Sequence, residues 1–68
     1  MDTIKRVYDL AEEKEISLYQ LAKDSGISLA TIKAAEKRSG QLKIDTIERI
    51  CEALGISLSA FFADTEQG

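Results

Sequence analysis

The chain lacks several residue types on which common protein chemistry depends. Its 68 residues include no histidine, no proline, no tryptophan and a single cysteine, Cys51. An imidazole base, a histidine-ligated metal site and an internal disulfide are therefore excluded. Without a partner, Cys51 is expected to be an inert core thiol rather than a reactive or metal-binding one. We expect no catalytic residues, no metal site, no cofactor, no small-molecule ligand and no enzymatic activity.

Length and composition limit the architecture further. A chain of 68 residues allows one domain with a small core. Apolar residues make up 44% and charged residues 31%, which is typical of a soluble globular domain and not of a disordered segment. No apolar stretch has the length of a signal peptide or of a membrane span. We therefore expect a cytoplasmic protein with no membrane partner.

The charge is unevenly distributed along the chain. The net charge of −3 argues at first against a nucleic-acid partner, because such partners favour basic domains. However, residues 23–43 have a net charge of +3, whereas residues 1–22 have −2 and residues 44–68 have −4. Phosphate neutralisation depends on local lysine and arginine side chains. The positive segment is either a binding surface or simply a solvated face.

Apolar residues recur at spacings of three and four, which is typical of amphipathic helices. No segment alternates like a strand, and no Asn-Gly or Asp-Gly hairpin turn is present. The sequence predicts an all-α, compact five-helix domain over residues 1–63, followed by a flexible C-terminal tail at 64–68. The predicted helices are 2–14, 18–25, 29–37, 44–54 and a short last helix after Ser57.

Several residues predict where these helices begin and end. Ser17 and Gln20 form a capping-box pattern, in which the hydroxyl accepts a first-turn N–H and Gln20 reaches back to the Ser17 N–H. Gly26 and Gly55 are placed to end the second and fourth helices in the left-handed conformation. Ile44 is expected on the apolar stripe of the fourth helix, which also carries the apolar residues Ile47, Ile50, Cys51 and Leu54.

The stretch from Leu18 to Lys37 has the pattern of a helix-turn-helix. Two short helices meet at Gly26-Ile27 with almost no loop between them. Ala22 is small where the helices must cross, and Gly26 can supply a positive φ at the turn. Leu21, Ile27, Ile32 and Ala35 are spaced to fill one shared core. This arrangement leaves the outer face of the second helix free to enter a DNA major groove.

The sequence from about residue 4 to residue 62 resembles the Cro/CI-type helix-turn-helix family, the lambda-repressor-like transcriptional regulators. The segments that carry the resemblance are 17–22, 25–28, 31–32 with Glu36, 45–47, 50–58 and 61–62. The resemblance implies that helix 18–25 positions the recognition helix 29–37 on double-stranded DNA, in a homodimer. It places Leu29, Ala30, Lys33 and Ala34 at base-facing positions. It places Ser17, Ser28, Lys37, Arg38 and Lys43 against the phosphate backbone.

The sequence departs from the family pattern in four ways, at six positions. Leu18 stands where members often have a phosphate-binding glutamine, and it cannot form that bond. The recognition helix offers methyl groups at Leu29, Ala30 and Ala34, which can pack against thymine methyls but cannot hydrogen-bond. Ala11 replaces the arginine that commonly pairs with the residue matching Glu36. Arg38 replaces a glycine, and Gly40 follows two residues later.

Two functions remain as hypotheses from the sequence. The first is a sequence-specific DNA-binding transcriptional regulator, acting as a repressor, that inserts helix 29–37 into the major groove. The alternative is an acidic protein-interaction module of the same fold, either antitoxin-like or a repressor antagonist, that does not read DNA specifically. The apolar side of the last helix, with Leu58, Phe61 and Phe62, belongs either to the core or in part to a dimer interface.

Overall fold

The computed structural model describes residues 2–38 and 40–63. This part of the chain forms five α-helices and no strand. The helices are α1 (Thr3–Glu13), α2 (Leu18–Ser25), α3 (Leu29–Arg38), α4 (Ile44–Leu54) and α5 (Leu58–Ala63). The predicted all-α, five-helix fold is confirmed, with bounds that differ by one residue at each end of α1 and at the end of α3. The tail predicted at 64–68 lies outside the described residues.

Short polar side chains cap the start of every helix except α4, which follows Lys43 without a side-chain cap. The Asp2 carboxylate accepts a hydrogen bond from the backbone N–H of Lys5 at 3.1 Å. The Ser17 hydroxyl accepts one from the backbone N–H of Gln20 at 3.0 Å, as the capping pattern predicts. The other half of the predicted capping box is wrong. The Gln20 amide nitrogen donates to the Asp24 carboxylate at 2.8 Å, so the side chain extends one turn forward along α2 and not back to the Ser17 N–H.

The core lies between all five helices. Its thirteen buried apolar residues are Ile4, Val7, Leu10, Ala11, Leu21, Ala22, Ile32, Ala35, Leu42, Ile47, Ile50, Cys51 and Phe61. On α5, Phe61 is fully buried, whereas Leu58 and Phe62 are half-buried. The apolar side of α5 is therefore only partly covered within one copy of the chain.

The expectation for Ile44 is wrong, because 54% of its surface is exposed. Its angular position on α4 is close to that of Cys51, which is buried, because seven residues make nearly two turns. The direction of the side chain was therefore predicted correctly. Ile44 lies in the first turn of α4, where the described residues leave this face largely open.

The segment that follows α3 is held against the start of α1. The Gly40 carbonyl accepts a hydrogen bond from the backbone N–H of Ile4 at 3.2 Å. The buried Thr3 hydroxyl accepts one from the backbone N–H of Leu42 at 2.7 Å and donates to the Gly40 carbonyl at 3.4 Å. These contacts fix the chain just before Lys43. Lys43, a basic residue of the positive segment, is thereby held in a defined position relative to α1 and α3.

Replacing Gly40 with alanine is expected to destabilise the domain by about 2 kcal/mol. Gly40 has φ +75, which costs an L-residue about 1 kcal/mol. A Cβ there would also lie 3.3 Å from the Asp2 carboxylate, which caps α1, and displacing a cap costs about 1 kcal/mol more. The measurement is the free energy of unfolding in urea.

Gly55→Ala is the matched control for this change. Gly55 has nearly the same φ, +71, but a Cβ there meets nothing within 4 Å. The Gly55→Ala variant is expected to lose about 1 kcal/mol of unfolding free energy, which is the cost of the positive φ alone. Equal losses in the two variants would contradict a role for the contact between Asp2 and Gly40.

Candidate nucleic-acid interface

The turn between α2 and α3 has the geometry that the sequence predicts. Gly26 adopts φ 74, and the backbone N–H of Ile27 donates to the Ala22 carbonyl at 3.0 Å. Leu21 and Ala22 are buried, and the buried Ser25 hydroxyl donates to the Leu21 carbonyl at 2.7 Å. The two helices are thereby joined rigidly, so α2 sets the direction in which α3 projects.

We define the outer face of α3 as Ala30, Lys33, Ala34 and Lys37, all of which are exposed. The same four residues and Glu36 line a shallow, open depression. Leu29, at the start of the helix, is half-buried. The structure therefore places three of the four predicted base-facing residues together on one accessible surface, with Leu29 partly withdrawn from solvent.

The predicted phosphate-contacting residues lie at the start of α2, at both ends of α3 and before α4. Ser17 and Ser28 are exposed, and the Ser28 hydroxyl caps α3 by accepting from the backbone N–H of Thr31 at 3.2 Å. Arg38 and Lys43 line a second open depression between α3 and the start of α4. The structure thus gathers two of the predicted cations on one side of α3, while Lys37 lies on the outer face itself.

A contact between helices that sequence reasoning missed holds Lys33. The Tyr8 hydroxyl, on α1, donates to the Glu36 carboxylate at 3.2 Å. The Lys33 ammonium donates to the Tyr8 hydroxyl at 3.3 Å and lies 5.8 Å from the centre of the Tyr8 ring. Tyr8 therefore replaces the arginine expected to pair with Glu36. The sequence contained one signal for this contact: Tyr8 lies three residues before Ala11 and therefore on the same side of α1.

The hydrogen bond to Tyr8 raises the pKa of Lys33 above its ordinary value of 10.5, and the Tyr8 and Glu36 charges add to this effect. A raised pKa means that the folded state favours the protonated ammonium. This contribution to stability is present below pH 10.5 and is lost as the pH rises through the pKa of the folded state. Lys33 therefore presents a positive charge at neutral pH.

Tyr8→Phe is expected to lower the pKa of Lys33 towards 10.5. The variant keeps the ring and removes only the hydroxyl, which provides the hydrogen bond to the ammonium. The measurement is an NMR titration that follows the Lys33 Cε resonance. Tyr19→Phe is the control, because Tyr19 is 65% exposed on α2. An unchanged Lys33 titration in Tyr8→Phe, or an equal shift in Tyr19→Phe, would show that the Tyr8 hydroxyl does not hold the ammonium.

The acidic residues of α4 line a different open depression. Asp45, Glu48 and Glu52 are exposed there beside Arg49 and Ser25. None of these residues lines the depressions of α3. The uneven charge along the sequence therefore corresponds to different surfaces of the fold.

Cys51 is buried in the core, as expected. Burial raises the pKa of its thiol above the ordinary value of 9.0. Within residues 2–38 and 40–63, no group of three or more metal-binding side chains is close enough to hold an ion. No helix in the described part of the chain is long and apolar enough to cross a membrane.

The geometry of α2 and α3 and the basic residues around them define a helix-turn-helix of the DNA-binding class. The family described as the Cro/C1-type HTH DNA-binding domain matches residues 6–66. Because the match covers most of the 68 residues, the chain belongs to this family, and the resemblance seen in the sequence is confirmed. No curated protein and no solved structure matches the chain significantly.

Proposed function

We propose that this domain is a sequence-specific transcriptional regulator that inserts α3 into the DNA major groove. The observation that carries the proposal is the accessible outer face of α3, set among Lys33, Lys37, Arg38 and Lys43 in a domain of a DNA-binding family. An α-helix fits the width of the major groove. Catalysis forms no part of the proposal.

In this proposal the domain makes two kinds of contact with DNA. Leu29, Ala30, Lys33 and Ala34 face the base edges. Ser17, Ser28, Lys37, Arg38 and Lys43 contact phosphates of the flanking backbone. The N-termini of α2 and α3 add backbone N–H groups, which bind phosphate well because they have no partner within the helix. Phosphate contacts fix the orientation of the domain, and base contacts choose the sequence.

We further propose that two copies bind as a homodimer in the cytoplasm. A single domain covers one half-site, and two domains related by a two-fold axis read half-sites about one helical turn apart. The half-buried Leu58 and Phe62 of α5 provide apolar surface for pairing. Repression would follow from occupancy of a promoter. The mass of the complex on duplexes with one and two half-sites tests the pairing.

The proposal is tested by titrating the domain against labelled duplex DNA of random sequence at low salt. Binding is expected, and its affinity should fall steeply as salt rises, with a slope of about −0.9 per neutralised phosphate in a double-logarithmic plot. No binding at low salt would contradict the proposal. The acidic protein-interaction module would then be the function to pursue.

A further inference from the structure

We infer that the outer face of α3 recognises the C5-methyl groups of pyrimidines in the major groove, chiefly those of thymine. The inference rests on the proposed DNA binding and names the feature of the DNA that this surface reads. The inference is carried by two observations: the methyl groups of Ala30 and Ala34 are accessible at the centre of the face, and the neighbouring Lys33 and Glu36 side chains are hydrogen-bonded to Tyr8 of α1.

The centre of the outer face is apolar. Ala30 and Ala34 are one turn apart, and both are exposed in the same depression. Leu29 adds a half-buried isobutyl group at the start of the helix. None of these side chains carries a hydrogen-bonding group, so they distinguish bases only by shape and apolar contact.

Four of the polar side chains beside these methyls, those of Lys33, Glu36, Thr31 and Ser28, already have hydrogen-bond partners. The Lys33 ammonium is drawn towards α1 by the Tyr8 hydroxyl at 3.3 Å, and Tyr8 also holds Glu36. The Thr31 and Ser28 hydroxyls bond to each other at 3.0 Å. Hydrogen bonding to a base would require Lys33 or Thr31 to give up these contacts.

The surroundings of the apolar centre fit DNA. Lys33 and Lys37 border the same depression, and Arg38 and Lys43 lie on the neighbouring side of α3. These charges complement the phosphates that flank a groove. Among the natural bases, only thymine presents a methyl group there, and 5-methylcytosine presents one at the same ring position. Burying one such methyl changes affinity about fourfold.

The test begins with duplexes selected for binding from a random pool at low salt. Each thymine of a selected site is then replaced in turn by uracil, which lacks only the methyl group. We expect about a fourfold loss at one or more positions in each half-site. At those positions the thymine–adenine pair is also replaced by a cytosine–guanine pair with or without the 5-methyl group. The methylated pair should bind about as well as thymine–adenine and the unmethylated pair more weakly, because the site reads the methyl and not the hydrogen-bonding pattern.

A pair of protein variants tests whether α3 is responsible for the preference for thymine over uracil. Ala34→Gly removes one methyl from the outer face and should abolish the preference for thymine over uracil at one position. Ala53→Gly, at an exposed position of α4, has a similar helix-weakening effect and should keep the preference. Circular dichroism is used to check that both variants are folded.

The possible outcomes separate the two claims. If selected duplexes bind but uracil and thymine are equivalent at every position, the inference is overturned and the proposed DNA binding stands. If 5-methylcytosine lowers the affinity as much as cytosine does, methyl recognition is likewise overturned. If no duplex binds at low salt, both the inference and the proposed function are overturned.

Discussion

Replacing Lys37 and Arg38 with glutamate is expected to lower DNA affinity by roughly a hundredfold at physiological salt. The two residues are adjacent and exposed at the end of α3, where Lys37 belongs to the outer face and Arg38 lines the neighbouring depression with Lys43. The variant removes two phosphate contacts and brings two carboxylates against the backbone of the DNA. The slope of the double-logarithmic salt plot should also become shallower by about 1.8, because two fewer counterions are released.

The measurement is fluorescence anisotropy with one duplex across a series of salt concentrations. The control is the double variant Lys5→Glu, on α1, and Lys14→Glu, just after it, which changes the net charge by the same amount outside the proposed interface. It should lose much less affinity and keep the original slope. Equal losses in the two double variants would mean that total charge, and not this surface, governs binding.

Replacing Arg6 with methionine is expected to destabilise the domain by about 2 kcal/mol. Arg6 lies on α1, and its guanidinium donates hydrogen bonds to the Ala60 and Phe61 carbonyls of α5. Both carbonyls lie in the last described turn of α5. The cation also suits the negative end of the helix dipole and lies 5.9 Å from the centre of the Phe61 ring.

The melting temperature checks this second prediction. A loss of about 2 kcal/mol corresponds to a decrease of about 8–16 °C in a domain of this size. Lys5→Met is the control, because the Lys5–Asp9 ion pair, at 3.5 Å, is between exposed side chains and contributes well under 1 kcal/mol. A melting temperature for Arg6→Met as high as that for Lys5→Met would show that capping of α5 by Arg6 is unimportant.

The local signals of the sequence predicted most of the fold. Helix bounds follow from short-range chemistry, namely the hydroxyl cap of Ser17 and the left-handed conformations of Gly26 and Gly55. All these groups lie within a few residues of the helix ends that they define. Apolar spacing likewise predicted the buried residues, since periodicity reports which side of a helix faces inward. It failed at Ile44, because periodicity does not report whether a neighbour reaches that turn.

The contacts between distant segments could not be read from the sequence. The hydrogen bonds from Arg6 to α5, and those between Tyr8, Lys33 and Glu36, join residues that are far apart in the chain. Their formation depends on how the helices pack, which no local pattern specifies. The candidate site was therefore predicted as residues of α3 together with Ser17, Ser28 and Lys43, without the contacts that hold them. That Lys33 is tied to α1, leaving methyl groups at the centre of the face, became visible only in the structure.

The charge distribution shows why an acidic chain can belong to a DNA-binding family. The net charge is −3, yet Lys33, Lys37, Arg38 and Lys43 lie on or beside α3, and carboxylates of α4 line a separate depression. Phosphate binding responds to the cations within reach of the backbone, because salt screens more distant charges over about 10 Å. The acidic surface is therefore expected to limit non-specific binding more than specific binding.

The most direct test of the central claim is NMR mapping of the domain on a selected duplex. The claim predicts that amide resonances of residues 28–38 and of Lys43 shift on binding, together with those of Ser17. The amides around Asp45, Glu48 and Glu52 on α4 should change little. Shifts concentrated on α4, with α3 unaffected, would contradict the claim that the outer face of α3 enters the DNA groove.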